Sequence, residues 1–348
     1  MKIFSDFCLS SFLVFRYVVE RNISWLPGVE PRYPALNHHE QQPVKSAAEV
    51  LDALENWVKE ISTSENVGIL LSGGIDSAIL ARFLPPNTKA YTIRFVAEGA
   101  IDETDQAGLY SDICGLQHKT VEVTWCDHDT LMNPLMLHKR SPLHAIEVAL
   151  YKAASIARQD GVKTLIVGNG ADSTFGGMDK LLARDWTLEE FITRYTFVNP
   201  REVLINTVSM DNFFSRFSTA QGFDTAGFLK IVHGAGIIQS FENAIHAAGC
   251  QVLAPYERLT LGVPLDLGRI RGGESKYILR EAFSQLYPAL EVPEKIPFAR
   301  PMDQWLASWN GHRRKEFRED IDISRFTGDQ KWLMYCLERF MNLYEEVT

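Results

Sequence analysis

The sequence predicts an α/β protein built on a doubly wound parallel sheet, with a mostly helical C-terminal part. Three observations carry that prediction. Apolar runs with strand character alternate with helical stretches from Val67 to Val167. Two glycine-rich loops follow the ends of two of those strands, at Ser72–Ser77 and Gly168–Met178. After residue 180 the periodicity is mostly helical. Such alternation argues for parallel strands joined by helices on both faces. Ligands in these sheets bind beyond the carboxyl ends of the strands.

The chain opens on an apolar stretch, Phe4–Val19, interrupted by Asp6 and Arg16 and followed by Glu20. It is too short and too polar to span a bilayer. It has neither a charged leader nor a small-residue cleavage site, so it reads as a packed helix. Prolines 27, 31 and 34 then forbid regular helix. A polar linker follows, with His38 and His39. Residues 1–45 thus form an N-terminal helix and Pro-rich segment, set apart from residues 46–348.

Ala47–Ile61 is amphipathic, with Val50, Leu51, Leu54, Trp57 and Val58 on one face. Strands are expected at Val67–Leu71, Ala90–Val96, His118–Thr124 and Lys163–Val167. Helices are expected at Ala78–Phe83, Asp102–Cys114 and Ile146–Gln159. Thr187-Leu-Glu-Glu is a capping box that opens a later helix. Gln330–Glu346 is a closing helix with Leu333, Cys336, Leu337, Phe340 and Met341 on its apolar side. Trp186, Phe213 and Phe214 read as core.

Composition narrows the function. The 348 residues are 46% hydrophobic and 23% charged, enough for a sizeable core. A net charge of −9 and a pI near 5.5 make a poor electrostatic match to a polyanion, so no nucleic-acid partner is expected. The five cysteines, Cys8, Cys114, Cys126, Cys250 and Cys336, are widely spaced and form no Cys-x-x-Cys pair. That disfavours a disulfide framework, a zinc site and a sulfur relay, and fits a reducing cytoplasm. Cys126-Asp-His-Asp lacks the company of a metal site.

The chemistry concentrates in three glycine-rich segments. In Val67-Gly-Ile-Leu-Leu-Ser-Gly-Gly-Ile-Asp-Ser, an apolar strand runs into Ser72, Gly73, Gly74, Asp76 and Ser77 before a helix. Strand, glycine turn and helix aim backbone N–H groups at phosphate oxygens. Asp76 would repel a bare phosphate, so its expected task is to hold Mg²⁺ shared with the phosphates. The loop lacks the Lys-Ser/Thr ending of a Walker A motif and the spacing of a dinucleotide fingerprint. The second segment, Gly168-Asn-Gly-Ala-Asp-Ser-Thr-Phe-Gly-Gly-Met, supplies Gly170 and another carboxylate, Asp172. Two carboxylates from two strand ends can hold one Mg²⁺. In the third, Gly272-Gly-Glu-Ser-Lys-Tyr, Lys276 falls in the first turn of a helix, where a cation opposes the helix dipole. It reads either as a surface lysine or as a cation facing phosphate or a developing oxyanion. Pro142-Leu-His144, just before a helix, is a candidate wall of the substrate pocket.

The first loop resembles the Ser-Gly-Gly-x-Asp-Ser loop of the N-type ATP pyrophosphatases. With all three segments, the chain resembles the synthetase domain of the asparagine synthetase and β-lactam synthetase family over about residues 46–310. That resemblance implies an adenine nucleotide α-hydrolase-like fold. Gly168–Gly177 is similar to the family's Gly-Glu-Gly-Ala-Asp-Glu-x-Phe-Gly-Gly segment, Asp102-Glu103 to its Asp-Glu pair, and Ala254-Pro-Tyr-Glu to its Pro-Phe-Leu-Asp turn. Lys276 falls on the catalytic lysine, Lys295-Ile-Pro-Phe resembles a late Lys-x-x-Phe, and Phe12–Gly28 resembles the segment joining the family's two domains. The resemblance implies ATP and Mg²⁺, a carboxylic acid adenylated with release of pyrophosphate, and acyl transfer to an amine or ammonia with release of AMP. Ser72, Gly73, Gly74, Asp76, Ser77, Gly170 and Asp172 would bind MgATP, with Asp76 and Asp172 on the metal.

Two departures shape the expectation. Family members usually begin with a glutaminase or glutaminase-like domain, whereas here Met1 is followed by Lys2 and not by a nucleophilic cysteine. Nitrogen would come from free ammonia, a separate amine-supplying protein or an amine substrate. The family's two glutamates are Asn169 and Ser173 here, and an amide cannot titrate. Glu202 lies downstream as a candidate base. These departures favour a tailoring amide ligase in specialised biosynthesis over asparagine synthesis from free ammonia. They also keep a catalytically silent scaffold in view. Another adenylating pyrophosphatase, such as an NAD or GMP synthetase or a tRNA thiolase, is disfavoured by the second and third segments. Small-molecule acid and amine substrates are expected; a membrane partner is not, and oligomeric state is open.

Overall fold

The computed structural model describes residues 4–34, 41–64, 66–220, 222–294 and 300–347. Its centre is a five-stranded sheet: β1 (Val67–Leu70), β2 (Lys89–Phe95), β3 (Gln117–Val123), β4 (Thr164–Ile166) and β5 (Gln251–Leu253). The spatial order is β3-β2-β1-β4-β5, every neighbour parallel. The chain starts in the middle, winds to one edge, then returns to build the other. The strand order therefore reverses between β1 and β4, and both glycine loops leave the sheet at that reversal.

Apolar side chains on both faces explain the near-continuous hydrophobic strands. One face carries Tyr91, Val121, Val123 and Leu165, covered by the helices Glu147–Gln159 and Gly234–Ala247. The other carries Ile69, Ala90 and Ile166, covered by Ala47–Ser64, Ile75–Ala81, Thr104–Cys114 and Tyr277–Leu286. A third apolar cluster lies among α1 (Asp6–Phe15), α2 (Trp125–Lys139) and α3 (Gly328–Val347).

That third cluster changes the expected organisation. The division drawn at residue 45 separates nothing in the packing: Phe12 meets Trp25, and Trp25 lies 5.0 Å, ring to ring, from Phe340 near the other end of the chain. Gln42–Val44 pairs in parallel with Leu259–Leu261. His38 and His39 lie outside the described residues. The part after residue 180 is mostly helical as expected, but it also supplies β5, whose three residues are too few to show a strand period.

Local chemistry fixes the other elements. Thr187 accepts from the Glu190 N–H (3.2 Å), and Glu190 accepts from the Thr187 N–H (3.0 Å), a closed capping box. Thr124 and Asp127 form a second one and start α2, so Cys126-Asp-His-Asp is a helix start. No helix among the described residues is long and apolar enough to cross a membrane. All five cysteines are free, and only Cys126 is exposed.

Candidate active site

A cavity of about 340 Å³ opens where β1 and β4 part. Ser72, Asp76 and Ser77 line it from the first loop, and Asn169, Gly170 and Asp172 from the second. Gly73 and Gly74 form the turn between Ser72 and Asp76 without lining the cavity. The turn is tied internally. The Ser72 N–H donates to Ser77 Oγ (3.0 Å), the two hydroxyls lie 3.0 Å apart, and the Gly74 N–H donates to Ser72 Oγ (3.2 Å). The helix starts at Ile75, three residues earlier than expected, which puts Asp76 and Ser77 in its first turn. The Tyr256 hydroxyl donates to the Asp76 carbonyl (3.0 Å) and pins the loop to a third element.

Asp76 and Asp172 converge on one cation. Lys276 Nζ lies 2.5 Å from Asp76 Oδ2 and 2.9 Å from Asp172 Oδ1. Burial opposes the ammonium charge, but the two carboxylates outweigh it and hold its pKa above the usual lysine range. Lys276 is only 7% exposed and is not on the cavity wall. It sits just ahead of its helix, not in the first turn, with a left-handed φ of 54°. Its stem runs against bare backbone: a Cβ on Gly177 would overlap Asp172 Oδ1 and Lys276 Cε. Gly177, at the end of the second motif, thus makes room for the lysine, while a Cβ on its neighbour Gly176 would meet Ile270. Gly170 is constrained similarly, with φ +91° and the Glu257 backbone nitrogen 2.7 Å from where a Cβ would stand.

Two further carboxyl groups reach the cavity. Burial raises the Glu103 pKa, partly offset by the Gly73 N–H. Burial also raises that of Glu257, partly offset by Lys230. Of the Asp102-Glu103 pair only Glu103 lines the cavity; Asp102 accepts from the Thr104 N–H (2.9 Å) at its helix start. The Asn169 side-chain NH₂ is buried with no hydrogen-bond partner among the described residues. His144 lines the cavity, as expected for the segment before the helix.

Glu202 is not brought to this site. It is exposed and lines a separate cavity with Arg201 and Asp211. The carboxylate beside Asn169–Gly170 is Glu257, in the Ala254-Pro-Tyr-Glu turn. The motif match to that turn was the available signal. His233 also lines the cavity, held through Arg16; His233 lay in no motif, and Arg16 lay in Phe12–Gly28, a segment that carried no site expectation. Lys295-Ile-Pro-Phe lies outside the described residues.

The donor set suits Mg²⁺. Among the described residues no group of three or more His, Cys, Asp or Glu forms a self-sufficient metal cage. Two carboxylates meeting at one cation, beside a loop suited to phosphates, match an ion that takes one or two protein carboxylates and completes its shell with phosphate and water.

Comparison with known proteins identifies the family. The sequence profile of the asparagine synthase family matches residues 49–228, more than half of the chain. The chain belongs to the asparagine synthase family. Among curated proteins it is similar to a Methanocaldococcus jannaschii protein named as a glutamine-hydrolysing asparagine synthetase, 27% identical over 146 residues. That match spans 41% of this chain and 27% of the relative's length. Among solved structures, the U34-tRNA thiolase NcsA from Methanococcus maripaludis aligns with 86% of this chain and 81% of its own, at 13% identity and a TM-score of 0.34. A chain described as a tRNA methyltransferase subunit from Methanocaldococcus jannaschii aligns with 64% of this chain and 86% of its own, at 16% identity and 0.24.

Proposed function

We propose that this chain is an AMP-forming amide ligase that adenylates a carboxylic acid with MgATP and passes the acyl group to an amine or ammonia. The observation that carries the reading is the convergence of Asp76 and Asp172 on Lys276 beside two glycine loops. Asp76 and Asp172 would hold Mg²⁺, which when bound neutralises triphosphate charge. Ser72, Gly73, Gly74 and Ser77 receive the leaving pyrophosphate through backbone N–H and hydroxyl groups. A substrate carboxylate oxygen bonds to the α-phosphorus, and the bond from that phosphorus to the β-phosphate bridge breaks. The amine nitrogen then adds to the acyl carbon, and the carbon–oxygen bond to AMP breaks.

Lys276 stabilises the oxyanion of that second step, once its carboxylates are engaged elsewhere. Glu257 accepts the proton the amine loses, a task that Asn169 lacks the chemistry for and Glu202 lacks the position for. The amide of Asn169 orients the nucleophile. The absence of a titratable group at residue 169 favours a tailoring ligase in specialised biosynthesis over asparagine supply. Free thiols fit a reducing compartment such as the cytoplasm.

The test is product analysis with ATP, a panel of carboxylic acids and hydroxylamine as a general nucleophile. AMP, pyrophosphate and hydroxamate should form together. Formation of ADP and phosphate, or failure to bind a non-hydrolysable ATP analogue, overturns the reading. Aspartate with ammonia as the sole productive pair would return the chain to asparagine synthesis.

A further inference from the structure

At the wall of the cavity formed by His144 and His233, a half-buried cation stands without a counter-ion among the described residues. Arg16 ends α1 in a left-handed turn, φ 69°. One guanidinium nitrogen lies 3.3 Å from His144 Nε2, the other 3.3 Å from His233 Nδ1, and both histidines line the cavity. Arginine only donates, so the two ring nitrogens facing it are unprotonated acceptors. Tyr195 Oη lies 3.2 Å from the same His233 nitrogen. Arg16 also meets the Tyr195 hydroxyl and, 5.1 Å from its guanidinium carbon, the Phe197 ring. Every one of these partners is neutral. Among the described residues no carboxylate lies within ion-pair distance of Arg16, whereas Arg300, also on the cavity wall, has Asp329 at 2.8 Å.

The surroundings are built to hold this arrangement. Residues 229–233 form a π-helical turn, a local irregularity frequent at functional sites. The Tyr17 hydroxyl donates to the Val232 carbonyl in that turn (2.8 Å). A Cβ on Gly236 would come within 2.7 Å of the Tyr17 ring. Arg16 and Tyr17 together therefore set the position of His233. Gly234 follows it and packs toward Ser173 of the second loop, 3.6 Å from its Cβ position to Oγ. Burial, then the positive charges of Arg16 and Arg300, hold His144 well below its usual pKa and so neutral. A partly desolvated cation with only neutral partners, beside a cavity, is poised for an anion that arrives with the ligand.

We propose that Arg16, His144 and His233 form an anion subsite for a substrate carboxylate other than the one being activated. In the ligase reading, on which this role rests, that group belongs to one of two molecules. It is either a second carboxylate on the acyl substrate or the carboxylate of an amino-acid nucleophile. Arg16 determines specificity through charge, and the two histidines orient the carboxylate.

Calorimetric titration with succinate, and with butyrate as its singly charged match, tests the subsite with and without α,β-methylene-ATP. Wild-type protein should prefer succinate by about tenfold or more. Arg16→Met should abolish that preference and leave nucleotide binding intact, while Arg16→Lys should retain most of it. An arginine that serves only the fold would lower the melting temperature when removed. A ligand-directed one should leave it unchanged or raised in the ligand-free Arg16→Met protein. Equal binding of the two acids, binding of neither, or a preference that survives Arg16→Met overturns the proposal. Succinate preference without any nucleotide binding keeps the subsite and removes the ligase reading. Turnover assigns the source: dicarboxylic acids with hydroxylamine against monocarboxylic acids with glycine.

Discussion

One ammonium shared by two carboxylates makes Lys276 sensitive to everything around it. Lys276→Ala should lower kcat for amide formation by roughly 10²–10³-fold, as removal of an oxyanion donor does, with circular dichroism unchanged. In the same variant Asp76 and Asp172 face one another without their cation. Mn²⁺ should then bind the nucleotide-free protein more tightly than it binds wild type, measured by spin-probe titration. Equal Mn²⁺ affinity would mean that the lysine and the metal do not compete for the same carboxylates. Gly177→Ala forces a methyl group into the Asp172–Lys276 contact. It should cost about 1–3 kcal/mol of stability, read by denaturant titration, and most of the activity. Glu257 gives a pH signature. Burial raises its pKa, and a base works only when deprotonated, so the rate should fall as pH drops through that raised value. The acid limb of kcat/KM should therefore lie above the range of a free glutamate, and the residual rate of Glu257→Gln should be flat there. At this scale the sequence was readable where a residue sits in a contiguous signature, as Ser72–Ser77, Asp172 and Lys276 do. It misled at Glu202, because only the fold decides which of many glutamates reaches a cavity.

Elements were legible wherever an apolar run or a period was long enough to register. β2 was expected at Ala90–Val96 and runs Lys89–Phe95; the following helix was expected at Asp102–Cys114 and runs Thr104–Cys114. α2 was not expected from the sequence, and it carries Pro134, a helix breaker by local preference, in its interior. Its Met132, Leu135 and Met136 nonetheless pack into the third cluster, and tertiary burial prevails over local preference. The same cluster shows why residue 45 looked like a boundary. Prolines mark a change of local conformation, but not of packing. Trp25 is fully buried between Phe12 and Phe340. Trp25→Ala should therefore cost about 3–5 kcal/mol, a large fraction of the stability of most domains. Chemical denaturation followed by far-ultraviolet ellipticity measures it, and a loss below about 1 kcal/mol would show the N-terminal segment to be ornamental.

For the molecule as a whole, charge sets the expected partners. At a net charge of −9 the surface repels phosphate backbones, and the phosphates of one nucleotide are met inside a cleft. Bulk tRNA should not shift this protein in a gel-mobility assay at physiological salt. A salt-dependent shift would reveal a basic face that the overall balance conceals. The parallel, doubly wound character of the sheet was legible in the alternation of apolar runs and helices, whereas the strand order and its reversal between β1 and β4 are set by tertiary packing. The union of chain ends was the least legible feature, since hundreds of residues separate Trp25 from Phe340.

That union has a practical consequence for anyone wishing to divide the chain or fuse a partner to it. A polypeptide severed directly after Pro34 should still elute as a single particle, its short piece gripped by the closing helix. The two pieces could be produced apart and mixed. Activity would return on reassembly, which offers a ready-made split reporter.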